Sequence, residues 1–368
     1  LCQELRDIPC DKEYFYEDWK LKNERRQTYG QKEVPYYEDI ECVLHHESHM
    51  AAAYYTAPFV PDVTVVIDAI GEYDTASIWV NHEKVWSKQY PWSLGLFYSA
   101  ITKRIGLKPN EDEYITMGMA AYGRPNIDML DILDEYLHTG IPLKKWFWSK
   151  PVDIAASAQM FIEYEIEQIF LEARKYGNNV AYGGGVALNC VANSKILHTL
   201  DKLWIFPSPG DAGSALGAIL AHTKERLDYP HTFWGYNIEG ELNPQEVVKE
   251  LLYNKVVGVA NGKAEYGPRA LGNRSLLADP RYNIKNKVNR IKRRQKFRPF
   301  APAILEEAYD DYFVGHANEY MQFVCNAKHD YDSVKHIDGT SRVQIVKDDG
   351  SNLRKILECW YEVTGCPM

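Results

Sequence analysis

His45-His46-Glu47-Ser48-His49-Met50 runs into Ala51-Ala52-Ala53-Tyr54-Tyr55, a strong helical start. On a helix, His45 and His49 share one face, the spacing at which a single metal ion takes two imidazoles. The zinc-protease pattern HExxH fails, because His46-Glu47 would need a second histidine where Met50 stands. A purely structural histidine pair stays open beside the metal reading. A carboxylate from elsewhere in the fold would favour the metal.

Two glycine-rich corners come next. Gly183-Gly184-Gly185 lies between a short apolar run and a helical pattern, where backbone N–H groups can approach a nucleotide at the positive end of a helix. The Walker lysine and the spaced glycines of a dinucleotide fold are absent, so a tight structural turn reads equally well. Ser208-Pro209-Gly210-Asp211-Ala212-Gly213 is the second corner, with Asp211 either the cap of the following helix or a ligand aimed into a cleft; the pattern alone favours the cap. Asp68, with Gly71 and Asp74, is a further acidic strand end.

The densest chemistry lies in Gly267-Pro268-Arg269-Ala270-Leu271-Gly272-Asn273-Arg274-Ser275, then Asp279-Pro280-Arg281, Lys292-Arg293-Arg294 and Phe297-Arg298-Pro299-Phe300-Ala301-Pro302. Arginines on loops stiffened by glycine and proline suit bidentate recognition of phosphate or carboxylate, since the guanidinium fork must be held in place. Arg269, Arg274 and Arg298 lie among apolar and turn residues and fit that role. From Arg290 to Arg294 the charges simply run on, and a solvated basic face is the better reading.

The elements that must position these residues alternate. Thr64-Val65-Val66-Ile67-Asp68 predicts a strand, with Ala76 to Val80 as its hairpin partner. Apolar spacing from Ile154 to Tyr176 predicts one long amphipathic helix stopped at Gly177. Val180 to Gly183 reads as a strand, Ala187 to Leu200 as a helix, Leu203 to Phe206 as a strand and Ser214 to Thr223 as a helix. Helix and strand return at Asn243 and at Val256–Ala260. Strands and helices alternating around glycine corners make an α/β protein whose ligands gather at strand ends. Residues 1–40 are polar, with little core of their own expected, and a domain boundary is expected near 235.

Length and charge bound the function. The 368 residues, 45% hydrophobic and 25% charged, suffice for two cores. A formal charge of -9, from 42 Lys+Arg against 51 Asp+Glu, argues against a protein that sheathes nucleic acid, though not against a local basic patch. No apolar run approaches the ~18–20 residues of a membrane span. Seven cysteines without a CxxC pair suggest neither a disulfide framework nor a zinc knuckle, which fits a cytoplasmic protein. The 26 Tyr and 9 Trp read as packing residues and half-buried surface.

Taken together, the segments resemble the O-carbamoyltransferase family that acts on nodulation factors, cephamycin and tobramycin. The resemblance rests on His45–His49, Asp68-Ala69-Ile70-Gly71-Glu72-Tyr73-Asp74, Met117–Gly123, Asp153–Gln159, Gly184–Cys190, Gly210–Gly217, the Gly267–Arg281 block, Phe297–Pro302 and His336–Arg342, in family order. It implies an actin/hexokinase-like (ASKHA) first domain over 1–235, similar to the transferase that makes threonylcarbamoyl-adenosine in tRNA, and a YrdC-like second domain over 236–368. The second would join carbamoyl phosphate and ATP, with Mg2+, into a carbamoyl-adenylate; the first would pass the carbamoyl group to an acceptor hydroxyl.

By the same resemblance, Arg269, Lys292, Arg298 and Arg342 look like the grip on phosphate and carbamoyl phosphate. His45, His49 and Asp211 look like ligands of a divalent metal, Fe(II) by family, and Asp211 moves from cap to ligand. Gly184, Gly185 and Asn189 look like the nucleotide cradle of the first domain, with Asp68 and Gly71 at a second phosphate-facing turn. Two family phrases are missing: an early Gly/His/Asp-Ala-Ser segment and an Asn-Thr-Ser segment beyond Met368. Parts of the transfer site are therefore expected to lie outside these residues. A threonylcarbamoyl-type tRNA-modifying transferase and a non-catalytic nucleotide-binding protein are the competing readings. The expected partner is a small hydroxyl-bearing acceptor of undetermined identity, with nucleic-acid acceptors and oligomers left open and no membrane.

Overall fold

The computed structural model describes residues 12–35, 40–126 and 135–368. It is α/β. A five-stranded sheet runs in the order Glu83–Gln89, Asp74–Val80, Val63–Ile67, Asn179–Gly183, Lys202–Ile205. Pairing is antiparallel across the first three strands, with Val65 opposite Ile78, and parallel across the last three, with Thr64 opposite Ala181 and Ala181 opposite Trp204.

The central strand Val63–Ile67 is buried along its whole length, as a strand covered on both faces must be. Val63, Val65 and Ile67 pack with Ile154, Ala158 and Ile162 of the Pro151–Ala173 helix and with Phe97 and Ile101 of the Leu94–Arg104 helix. Val66 points the other way, to Met50, Ala51 and Tyr55 of the His45–Thr56 helix and Leu220 of the Asp211–Thr223 helix. These last two helices cross closely because residue 217 is glycine: a Cβ there would lie 1.9 Å from the Ser48 carbonyl oxygen. The histidine helix is thus clamped between sheet and neighbour.

Beyond residue 230 the sheets are small. The strands Phe233–Ile238 and Gly262–Glu265 pair with each other, as do Val256–Ala260 and Arg274–Ala278. The helices Pro244–Asn254 and Asn352–Thr364 meet through Val248, Leu251, Ile356 and Trp360. Among the described residues, no helix is long and apolar enough to cross a membrane.

One local expectation changes. The run expected as one helix from Ala187 to Leu200 breaks into a 3-10 turn at Gly185–Leu188, a helix at Cys190–Ile196 and a second 3-10 turn at Leu197–Thr199, because the Asn189 side chain accepts from the Ala192 N–H (3.1 Å) and starts a new helix there. The described part of the segment before residue 40 adds little core, as its polarity suggests, with Trp19 its one buried large apolar side chain. It forms the helix Trp19–Thr28, capped by Asp18, with Trp19 buried against Phe15. Residues 1–11 and 36–39 lie outside the described residues.

Candidate functional site

The helix that carries the histidines begins at His45 without a cap of its own, since Leu44 supplies no side-chain acceptor. Glu72 substitutes from across the fold. Its buried carboxylate accepts from the His45 N–H (3.0 and 3.2 Å) and from the Asp18 N–H (2.7 Å), neutralising the positive helix end. Gly71 lets the Glu72 turn seat there: a Cβ on it would meet His45 Cβ and His46 Cδ2 at 3.1 Å.

His45 and His49 then face each other one turn apart, Nε2 to Nε2 at 3.2 Å. Asp68, directly after the central strand, places Oδ2 at 2.7 Å from His45 Nε2 and 3.3 Å from His49 Nε2. Asp211 opens the neighbouring helix with Oδ1 at 3.7 and 3.6 Å from the same nitrogens. Gly210 occupies the cap position and the Asp211 side chain makes no capping bond, so the cap reading is not what the geometry gives. One donor atom from each of the four residues lies within 4.8 Å of the others. Ligand atoms around a tetrahedral ion at ~2.1 Å stand about 3.4 Å apart, and most of these separations fall close to that.

Polar groups also stand beside the outer nitrogens, with a hydrogen-bond contact at His49. Ser214 Oγ, one turn beyond Asp211, lies 3.1 Å from His49 Nδ1, and Glu17 Oε1 lies 3.5 Å from His45 Nδ1. Both Nε2 atoms are directed at the pocket, that of His49 with its Nδ1 in contact with Ser214. His46 faces elsewhere. Its Nδ1 pairs with Ser77 Oγ at 2.7 Å, a hydroxyl that also accepts from Trp79 Nε1 (2.8 Å), and burial holds His46 well below its ordinary value, a neutral structural residue.

Without an ion, a proton fills the role. Burial alone would lower His49, but the adjoining carboxylates of Asp211 and Asp68 outweigh that and raise it to about 9. Burial would likewise raise Asp68, yet the bonds from His45 and His49 bring it well below the carboxylate range. Tyr16, whose ring stands 5.8 Å from that of His45, is pushed up to about 12 by burial and by Asp211, Glu17 and Asp68.

The glycine corner adjoins this pocket. Gly184 has φ +92°, and a Cβ there would lie 2.2 Å from the Ile67 carbonyl oxygen. The Gly185 N–H donates to Asp68 Oδ1 at 2.9 Å. Asn189 follows the corner in the chain. Beyond its capping bond, its buried amide exchanges two 3.1 Å hydrogen bonds with Gln159, which ties it to the interior and leaves it poorly placed as a nucleotide ligand.

The basic residues divide. Arg274 is consumed by the backbone carbonyls of Asn261, Asn273, Tyr236 and Gly262 and serves as a structural tie. Arg269, Arg298 and Arg342 come together with Arg294, which the charge run had hidden. Arg342 and burial lower Arg269 to about 9. Burial with Arg298 and Arg342 lowers Arg294 to about 10. Arg298 is lowered by burial and Arg342 against the help of Tyr114, whose ring it covers at 4.4 Å. Lys292 stands at the exposed margin, lowered by burial and by Arg294 and Arg298. Among the described residues, the arginines in carboxylate ion pairs are Arg281 and Arg354, and none of the four clustered ones. A concentration of cations without acids to match is built to receive an anion. Arg269 also donates to the Leu188 carbonyl (3.4 Å) and Tyr122 to that of Phe297 (3.3 Å), so the basic loops lean on the glycine corner and on the Met117–Gly123 segment.

Sequence reasoning therefore missed Glu72, Ser214, Arg294 and the place of Asp68 beside the histidines. Ser214 carried a signal, lying three residues after Asp211 and hence on the same helical face.

Comparison with known proteins bears on this arrangement. The family model described as carbamoyltransferase N-terminus matches residues 9–146 and 138–220, and that described as carbamoyltransferase C-terminus matches 248–368. An uncharacterized protein of Methanocaldococcus jannaschii is 30% identical, over 89% of this chain and 67% of its own length. An uncharacterized protein of Synechocystis is 32% identical over 77% and 58%. Nodulation protein NolO of Bradyrhizobium diazoefficiens is 30% identical over 82% and 67%. The chain spans 58% to 67% of these three relatives.

Proposed function

Because the chain belongs to the carbamoyltransferase family, we propose that it serves an ATP- and carbamoyl-phosphate-dependent O-carbamoyltransferase, forming a carbamoyl-adenylate and passing the carbamoyl group to an acceptor hydroxyl. The observation that carries this reading is the group Arg269, Arg294, Arg298 and Arg342: the first three are lowered by burial and by neighbouring guanidinium groups, Arg342 among them, and none of the four has a carboxylate ion-pair partner among the described residues. A multiply charged phosphate ligand relieves that repulsion. Fixed guanidinium groups also stabilise charge that develops during phosphoryl and acyl transfer.

In this reading water takes the phosphoryl group of carbamoyl phosphate, giving inorganic phosphate and carbamate. A carbamate oxygen attacks the α-phosphorus of ATP, held with Mg2+, and pyrophosphate leaves. The acceptor hydroxyl then attacks the carbamoyl carbon, loses its proton, and AMP departs. Residues 236–368 form the YrdC-like adenylate-forming domain and 1–235 the actin/hexokinase-like transfer domain, in the cytoplasm. Support for the second assignment is the α/β sheet covered by helices on both faces, with its glycine corner at strand ends.

His45, His49, Asp68 and Asp211 would hold the divalent ion, which the family resemblance makes Fe(II). Two imidazoles and two carboxylates form a donor set suited to a borderline divalent metal. When bound, the ion would supply Lewis acidity and a template for the transferring group. The chain's own residues orient it: Glu72 fixes the helix start, and Ser214 fixes the His49 ring.

The test is pyrophosphate release from ATP with and without carbamoyl phosphate. Release that requires carbamoyl phosphate is expected. Release independent of it, or ATP binding with no turnover, would sink this reading, and release dependent on threonine plus bicarbonate would replace it with the tRNA-modifying one.

A further inference from the structure

Between Gly140 and the helix beginning at Pro151 the chain reads Ile-Pro-Leu-Lys-Lys-Trp-Phe-Trp-Ser-Lys, and from Tyr136 to Val152 it contains no Asp or Glu. Three apolar side chains project from this loop: Leu143 is 74% exposed, Phe147 65% and Trp148 93%, the last the most exposed large hydrophobic residue among those described. Among the described residues, Lys144 and Lys150 flank them without acidic partners, while Lys145 pairs with Glu135 at 3.2 Å.

The exposure is imposed by the fold. Trp146 packs against the main core and has φ +56°, a left-handed backbone that bulky residues rarely adopt. That reversal turns Trp146 inward and the two following rings outward. The Arg104 guanidinium pins the loop by donating to the carbonyls of Leu143 (3.0 Å) and Lys145 (2.6 Å). Strain of this kind persists where the surrounding structure over-determines it, and it concentrates at functional positions. The two stretches that match the family's N-terminal model overlap at 138–146, so the loop stands at a break in the family pattern.

We propose that this loop is a contact for an anionic lipid surface, with Phe147, Trp148 and Leu143 entering the interface and Lys144 and Lys150 meeting lipid phosphates. Such a contact lies on the membrane without spanning it. Charge complementarity selects the occupant. In a chain of net charge -9, an anionic surface repels most faces and favours docking through a local stretch that is basic and acid-free. Aromatic rings beside lysines are the side chains that settle at headgroup depth. Single-stranded nucleic acid fits less well. The Phe147 and Trp148 rings stand edge to face (4.9 Å, 87°) and offer no shared platform for consecutive bases, and Leu143 has no stacking face.

The experiment is co-sedimentation of the 368-residue chain with vesicles of zwitterionic lipid alone or with about one third anionic lipid. Binding to the anionic vesicles, weakened by salt, is expected. At about 1 kcal/mol per basic residue near such a surface, Lys144→Glu and Lys150→Glu should each reduce the partition coefficient at least about five-fold. The double variant Phe147→Ser/Trp148→Ser should abolish binding while its melting temperature stays unchanged, because both rings lie outside the core. Equal binding to zwitterionic vesicles, or anionic binding indifferent to all these variants, would overturn the proposal. So would equal affinity for a single-stranded oligonucleotide, which would assign a stacking site, or a self-association by sedimentation that Phe147→Ser/Trp148→Ser removes, which would assign a second copy.

Discussion

Stripped of metal by a chelator, the protein should lose stability as pH rises from about 6.5 to about 9. His49 is the cause. Its folded value is raised to about 9 from an ordinary 6.5 by Asp211 and Asp68, so the contribution is fully present below 6.5 and is lost as pH climbs through 9. A shift of that size corresponds to about 3 kcal/mol, with a slope approaching ~1.4 kcal/mol per pH unit across the window. The imidazole is buried, so solvent screening takes little from it. The depressed Asp68 reports the same contacts from the other side, and the energy is counted once. Asp68 adds its own loss only in acid, as pH falls below the ordinary carboxylate value. His46, held low by burial, acts with the opposite sign and only below about 6.5. The assay is urea unfolding at pH 6.5, 7.5 and 9 in chelator, beside a His49→Gln variant that lacks the titrating group. Stability that stays level or increases between pH 7 and 9, or an unchanged slope in the variant, would refute the reasoning.

Three further outcomes are expected. Metal uptake at pH 7.5 should displace about one proton, the one on His49, as measured by calorimetry in buffers of different ionisation enthalpy, and Ser214→Ala should weaken metal affinity by roughly 10–100-fold with the fold intact. Gly184→Ala combines φ +92° with a Cβ 2.2 Å from the Ile67 carbonyl oxygen and should cost at least about 3 kcal/mol, read as a lowered melting temperature. Arg298→Ala and Arg294→Ala should each cut carbamoyl-phosphate-dependent pyrophosphate release by about 100-fold or more at unchanged metal content, whereas Arg290→Ala, on the exposed face, should leave it unaltered.

Local chemistry was legible in the sequence, and contacts across long separations were not. The histidine helix, the central strand, the glycine corner and the long helix from Pro151 each announce themselves through spacing or β-branching within a few residues. Arg294 shows the limit. In sequence it is one more charge in Lys292-Arg293-Arg294, but the backbone turns left-handed at Arg293 (φ +50°), and the Arg294 N–H returns to the Asn289 carbonyl (3.0 Å), which sends its guanidinium over Phe300 at 4.2 Å. Asn189 shows the same limit from the other side. Beside a glycine corner its amide looks available, yet Gln159, thirty residues upstream, has already taken it. The place of Asp68 depends on the parallel pairing of Val63–Val66 with Val180–Gly183, a register that no local pattern encodes.

Asp68 also changes what the glycine corner means. Its Oδ2 faces the histidine pair while its Oδ1 accepts from the Gly185 N–H, so one buried carboxylate joins the candidate metal pocket to the corner beside it. A Cβ on residue 185 would stand 2.8 Å from that Oδ1 and would force the carboxylate away from the histidines. Gly185 is therefore required by the approach of Asp68, and Gly184 by its left-handed backbone and the Ile67 carbonyl. Neither glycine needs a bound nucleotide to account for it. The case for ATP rests on the family and on the arginine group, and the two halves of the proposal can fail separately. Loss of metal binding in Asp68→Asn with nucleotide binding retained would show the corner to be a metal-site scaffold; loss of both would show that it serves the nucleotide as well.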